Sequence, residues 1–256
     1  MIEIPQKLKP ENFTIESFIQ MESNQSLIIK PKMYLRNYTM KEIRNLFFVE
    51  FKNKFNREFE LTKDSNELLC TIICYFYKDH RFFRSPCLVI PEGTTPSFAN
   101  GLLIMGNYGI GKTSILLALE QVFNKFVFYN PASHFKSIAA NDVVIEYEKI
   151  QTAEEKEDFY LKHQRGFRFY DDVKTEDVAS NYGKVNLFEK ILFLRNSKRS
   201  KTLITCNFDK AFPSDFEKGL DQFGLKYGGH IYDRILDDFN FIQANGKSFR
   251  GKFLKT

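Results

Sequence analysis

Gly106, Gly111, Lys112 and Thr113 fall in the spacing GxxxxGK[ST] within the stretch LLIMGNYGIGKTSI. That spacing suits one chemistry, the capture of a polyphosphate. Gly106 starts a sharp turn. Gly109 and Gly111 let the backbone approach phosphate oxygens that a Cβ would keep away. The loop N–H groups and the N-terminus of the helix that follows favour negative charge. Lys112 reaches the β- and γ-phosphates, and the Thr113 hydroxyl can ligate Mg²⁺. Gly106, Asn107, Tyr108, Gly109, Ile110, Gly111, Lys112, Thr113 and Ser114 therefore form the candidate phosphate-binding set.

A phosphate loop that drives hydrolysis needs an acidic strand end to hold the metal. GFRFYDDV supplies it, with Asp171 placed to hold Mg²⁺ through water and Asp172 to orient or deprotonate the attacking water. A third strand end, TLITCNF, carries Asn207, whose amide can position the same water. Read alone, two aspartates after aromatics begin a loop and an asparagine marks a turn. Beside a phosphate loop they become a site.

These residues need a parallel sheet to bring them together. LLIM (102–105) is a strand leading into the loop, and TSILLALEQVF (113–123) is the helix after it. KFVFYN (125–130), FRFYDD (167–172), TLITCNF (202–208) and NFIQAN (240–245) read as further strands. Polar helical segments are expected over 133–164, and helices over 186–196 and 230–239. Short apolar runs separated by helices predict a three-layer α/β domain with a central parallel sheet. Upstream, 39–55 has a threonine start signal and helical apolar spacing, and 64–80 repeats that style with Asp64 or Ser65 as cap. The many aromatics of these helices, Phe47, Phe51 and Phe55 among them, are expected in the core. A loop rich in Pro, Gly, Ser and Thr then leads to the first strand. The chain therefore divides near residue 97, into a mostly helical region over 1–95 and a phosphate-binding domain over 96–256.

The 256 residues, 43% of them hydrophobic, suffice for a sizeable core. Lys and Arg number 37 against 32 Asp and Glu. The net charge of +5 permits a nucleic-acid partner without requiring one. The start, MIEIPQKLKPENF, has no apolar leader, and no apolar run is long enough for a membrane helix, so a cytoplasmic protein is expected. Cys70, Cys74, Cys87 and Cys206 form no paired C-x-x-C and read as thiols in a reducing compartment.

GLLIMGNYGIGKTSILLAL, FYDDVKTED, TLITCNF and HIYDRILDDFNFIQANGKSFR occur in this order. Together they resemble the AAA+ ATPases of the DnaC type, the bacterial helicase loaders, and their transposition relatives of the IstB type. The resemblance covers about 98–250. It implies a P-loop AAA+ fold, ATP and Mg²⁺ as cofactors, and hydrolysis stimulated by DNA or by assembly. It implies a homo-oligomer, single-stranded DNA, and a replicative helicase or a transposase as partners. Arg234 of YDRIL matches the arginine finger that reaches a neighbouring subunit's ATP, and Arg250 of GKSFR matches the sensor-2 arginine. A guanidinium is always charged and forks across phosphate oxygens, which suits both roles.

Three departures stand out. His230 occupies a position where relatives often carry arginine. Asp172 is one methylene shorter than the usual glutamate, which implies slow hydrolysis or help from Glu176. By the resemblance, the family's C-terminal helical lid is expected to be missing here, as it is in loaders. By the same resemblance, His134, Phe135 and Lys136 face a central channel and touch a single strand. RNSKRSK (195–201) offers a second basic cluster, with Lys198, Arg199 and Lys201 as phosphate contacts. Residues 1–95 are the counterpart of a partner-binding region, and 60–69 of the segments that line an adenine pocket.

Overall fold

The computed structural model describes residues 38–125, 133–181, 183–209 and 211–250. Helix α1 (Met40–Phe55) starts at Thr39, which with Glu42 forms a capping box. Its Ile43, Leu46, Phe47 and Phe51 recur at helical spacing and are buried. Helix α2 (Lys63–Phe76) is capped by Thr62, with Ser65 as its reciprocal partner. Ser65 thus belongs to the cap as its third helical residue, and Asp64 does not cap. A short 3₁₀ turn (His80–Arg84) follows.

The remaining elements alternate. They are β1 (Leu88–Val89), β2 (Gly101–Gly106), α3 (Lys112–Lys125), β3 (Lys136–Ala139), α4 (Ala140–Glu148), α5 (Ala153–Gln164) and β4 (Arg168–Asp171). The small hairpin strands β5 (Ala179–Ser180) and β6 (Lys184–Val185) come next, then α6 (Leu187–Ser197), β7 (Thr202–Cys206), α7 (Phe216–Tyr227), α8 (Gly229–Asp238) and β8 (Phe239–Ala244).

The main sheet has the order β1-β8-β2-β7-β4-β3. All its pairings are parallel except that of β1 with β8. Central β2 is buried along its whole length and sorts its side chains by alternation. Leu102 and Ile104 join the hydrophobic cluster on one face, Leu103 and Met105 the cluster on the other. The result is an α/β fold of three layers, as the sequence pattern predicts.

Two expectations change and one lies beyond what the structure describes. Most of KFVFYN lies outside the described residues, and Lys125 closes α3. The strand beside β4 is β3, inside the stretch expected to be helical. Glu120 of α3 pins it, accepting from Ser137 N–H (2.8 Å) and Ser137 Oγ (2.6 Å). Helix α7 lies in a stretch read without an element.

The boundary near residue 97 does not coincide with a break in the core among the described residues. Phe47, Phe51, Leu68, Leu69 and Ile72 share one cluster with Leu102, Ile104, Leu116 and Leu119. Glu50, 2% exposed, pairs with Lys125 at 2.7 Å and ties α1 to α3. Cys74, Cys87 and Cys206 are buried, and Cys70 is half-buried. Among the described residues, no helix is long and apolar enough to cross a membrane.

His163 on α5 is fully buried, its Nδ1 3.1 Å from the Tyr170 hydroxyl and its Nε2 3.6 Å from Glu146. Burial pushes its imidazole down to about 4, against the pull of Glu146. The unfolded chain therefore binds a proton near pH 6.5 that the folded chain refuses until about pH 4. Stability falls as pH drops through this window, by about 2 kcal/mol between pH 7.5 and pH 5. Urea unfolding at the two pH values should show this loss, and His163→Gln should remove most of it.

Candidate nucleotide-binding site

The carboxyl ends of β2, β4 and β7 lie side by side, because β2 pairs with β7 and β7 with β4. Parallel sheets gather their ligand sites along this edge. Gly106 ends β2, and the loop turns through Gly109 (φ +77°) and Gly111 (φ +94°), where a side chain would be strained. A Cβ at Gly109 would also collide with Ser248 Oγ. Helix α3 then begins at Lys112.

Lys112 is buried, and its Nζ donates to Gly106 O (2.8 Å), Asn107 O (2.9 Å) and Asn207 Oδ1 (3.0 Å). Burial holds its ammonium below the ordinary lysine range, partly countered by the nearby Asp172 and Asp171. Asn207 Nδ2 donates to Asp172 Oδ1 at 3.0 Å. One amide thus spans the lysine and the second aspartate.

The Thr113 hydroxyl donates to Asp171 Oδ1 at 2.7 Å. Burial raises the Asp171 carboxyl above the ordinary range, and hydroxyl hydrogen bonds from Thr205 and Thr113 pull it back. A half-buried carboxylate beside a hydroxyl offers the hard oxygen donors that Mg²⁺ takes, so these residues fit that ion. Asp172 has φ +54°, in the left-handed region.

A cleft of about 250 Å³ lies over the loop. It is lined by Tyr108, Gly109, Ile110, Gly111, Lys112, Thr113, Ser114, Asp172 and Asn207, and also by Phe55, Arg57, Phe249 and Arg250. Phe249 N–H donates to Gly109 O at 2.9 Å, so the segment after β8 crosses the loop. Tyr108 to Ser114 of the predicted loop, Asp172, Asn207 and Arg250 thus line one cleft, while Asp171, Gly106 and Asn107 lie outside its lining, the first bonded to Thr113 and the other two to Lys112.

Phe55 and Arg57, from the end of α1 and the turn after it, line this cleft, whereas 60–69 do not. They lie far upstream of the loop and carry no local motif that would mark them. Phe249 is flanked by the recognised Arg250, which was the available signal.

The other predicted residues sit elsewhere. Arg234 on α8 is outside the cleft lining. Its Nε donates to Asn196 Oδ1 (3.0 Å), its Nη1 to His230 O (2.8 Å), and its guanidinium lies 4.6 Å over the Phe193 ring. Glu176 is turned away from the site. It accepts from the Tyr227 hydroxyl at 2.5 Å and pairs with Lys226 at 2.9 Å, which removes it as an aid to Asp172.

Lys198 and Arg199 are exposed, but Lys201 is folded inward. Its Nζ donates to Phe98 O at 2.7 Å over the Tyr75 ring, and burial lowers it to about 8. Phe135 is 1% exposed, stacked on Phe76 at 5.7 Å, and so is a core residue unable to meet a strand in this fold. Its neighbour Lys136 is exposed, and His134 is half-buried.

No family model and no curated protein sequence matches the chain. Among solved structures it is similar to one described as the crystal structure of the DnaC helicase loader. The two are 16% identical with a TM-score of 0.49, over 72% of this chain and 93% of that one. It is also similar to a crystal structure of DnaI, at 20% identity and a TM-score of 0.42, over 72% of this chain and 88% of that one. The order of elements, the glycine loop between β2 and α3 and the mostly parallel sheet are those of a P-loop NTPase fold.

Proposed function

We propose that this chain is a Mg²⁺-dependent ATPase of the DnaC-like AAA+ kind that assembles on single-stranded DNA and loads or remodels a replicative helicase. The observation that carries the ATPase reading is the meeting of Lys112, Thr113, Asp171, Asp172 and Asn207 at one edge of the sheet. In this reading the loop N–H groups and α3 hold the phosphates, and Lys112 exchanges its three oxygen partners for phosphate oxygens. Thr113 and Asp171 would hold Mg²⁺, which would supply positive charge against the negative charge of the phosphates. Asp172 takes the proton of the attacking water, and Asn207 keeps both water and carboxylate in place. Phe249 and Phe55 offer flat apolar surface to the base, and Arg250 a cation to the phosphates.

Arg234 lies outside its own cleft and on an accessible helix, which supports a role toward a neighbouring copy's ATP. The helicase partner rests on the likeness of YDRIL and GKSFR to loader motifs. For DNA, the exposed Lys136, Lys198 and Arg199 are the phosphate contacts favoured here, with His134 beside the first. Steady-state ATP turnover with and without single-stranded DNA tests the reading. Arg234→Ala should bind ATP normally and lose the DNA- or assembly-stimulated part of turnover. Wild-type stimulation in that variant would remove the finger assignment.

A further inference from the structure

We infer that Thr205 is the positioning residue for both aspartates at the end of β4, an inference that rests on the ATPase reading above. Thr205 is fully buried on β7. Its hydroxyl donates to Asp171 Oδ1 at 2.5 Å and accepts from Asp172 N–H at 3.1 Å. Its backbone carbonyl accepts from Val173 N–H at 3.0 Å. One residue therefore grips three consecutive residues of the acidic turn.

The place where it does so explains the need. The paired register of β4 and β7 runs from Arg168 and Thr202 to Tyr170 and Ile204. Asp171, the last residue of β4, keeps its pairing with Ala139 of β3 but not with β7, and Asp172 then takes a left-handed backbone at φ +54°. Aspartate tolerates that conformation better than most residues, and the Thr205 hydroxyl bonded to its N–H fixes where the turn places it. The Thr205 hydroxyl continues the grip of β7 where the strand pairing stops. A β-branched side chain has few rotamers, so that hydroxyl is aimed in advance.

Two residues on, Asn207 holds the Asp172 carboxylate at 3.0 Å. Asp172 is thus fixed at its N–H by Thr205 and at its carboxylate by Asn207. Asp171 Oδ1 is fixed between the hydroxyls of Thr205 and Thr113, one from the sheet and one from the phosphate helix. Thr205 is not among the residues that line the cleft. It sets where the metal-holding and water-activating carboxylates stand.

The test uses the full chain with Thr205→Val, which keeps the shape and removes the hydroxyl, and Thr205→Ser, which keeps the hydroxyl. ATP affinity is measured by calorimetry in EDTA and again with Mg²⁺, together with kcat and KM. Thr205→Val should bind ATP in EDTA within about twofold of wild type. It should lose about tenfold of the affinity gained on adding Mg²⁺, and about tenfold or more in kcat. Thr205→Ser should recover both. Unchanged Mg²⁺ gain and kcat in Thr205→Val overturn the inference, as does a Thr205→Ser variant equally impaired, since the methyl would then be what matters. If Thr205→Val does not fold, Thr205→Ala is judged by the same two readouts. A wild-type chain that fails to bind Mg²⁺ and ATP overturns the ATPase reading and this inference with it, whereas normal wild-type binding with an unaffected valine variant overturns this inference alone.

Discussion

Replacing Lys112 by methionine is expected to abolish nucleotide-dependent stabilisation while leaving the nucleotide-free protein folded. The lysine ammonium is buried against two backbone carbonyls and the Asn207 side chain. Taking a cation out of water is costly, and methionine fills similar space without that cost. The loss of the donor to Gly106 O, Asn107 O and Asn207 Oδ1 offsets that gain, so the variant should stay folded and melt within a few degrees of wild type without ligand. A ligand at a hundred times its Kd stabilises by about 2.7 kcal/mol. For a chain of this size that raises the melting temperature by about 5–10 °C. Wild type should show this shift with ATP and Mg²⁺, and Lys112→Met should show none. Turnover should fall by about 10²–10³-fold, because the charge that meets the γ-phosphate is gone. A melting shift preserved in the variant would place the nucleotide elsewhere.

The second large effect concerns stability. Arg195 is 2% exposed and lies across the start of the sheet edge opposite the cleft. Its Nε donates to Thr202 Oγ1 (2.8 Å), its Nη1 to His163 O (2.7 Å), and its Nη2 to Gly166 O (2.8 Å) and Lys201 O (2.6 Å). Its guanidinium also lies 5.6 Å over the Tyr170 ring. One side chain thereby joins the ends of α5 and α6 to the starts of β4 and β7. Burial lowers its affinity for its proton, but guanidinium remains charged and needs every acceptor it has. Arg195→Met leaves those carbonyls buried without a donor, at a cost of about 3–5 kcal/mol in a denaturant titration. Arg195→Lys should recover little, since a point charge on a flexible stem cannot reach acceptors arranged for a planar fork. In the sequence this arginine opens RNSKRSK and looks like part of a basic surface. Its neighbours in the fold decide otherwise.

That contrast marks what a sequence discloses here. The glycine loop was legible because its spacing, its preceding apolar run and its following helix agree locally. Asp171, Asp172 and Asn207 were legible because each ends a strand of conspicuous apolar residues. Strand β3 was not, because KSIA is a short edge strand with an exposed lysine, and only its ladder to β4 makes it a strand. Two-residue β1 lies inside a Pro- and Gly-rich stretch and exists through its pairing with β8. Thr205 reads as an ordinary β-branched residue in a buried strand, and its hydroxyl matters only through β4 beside it. Phe55 and Arg57 reach the cleft through tertiary packing of α1 on α3, which no local pattern announces.

The packing of α1 on α3 also shapes the cleft. Glu50 and Lys125 bolt the two helices at one end, and Phe47 and Phe51 sit in the core that Leu116 and Leu119 complete. The last turn of α1 delivers Phe55 to the rim of the cleft. Helix α3 carries Lys112 and Thr113 on its first turn. The two packed helices therefore bring one wall of the cleft and the start of the phosphate-binding helix together on a single part of the core.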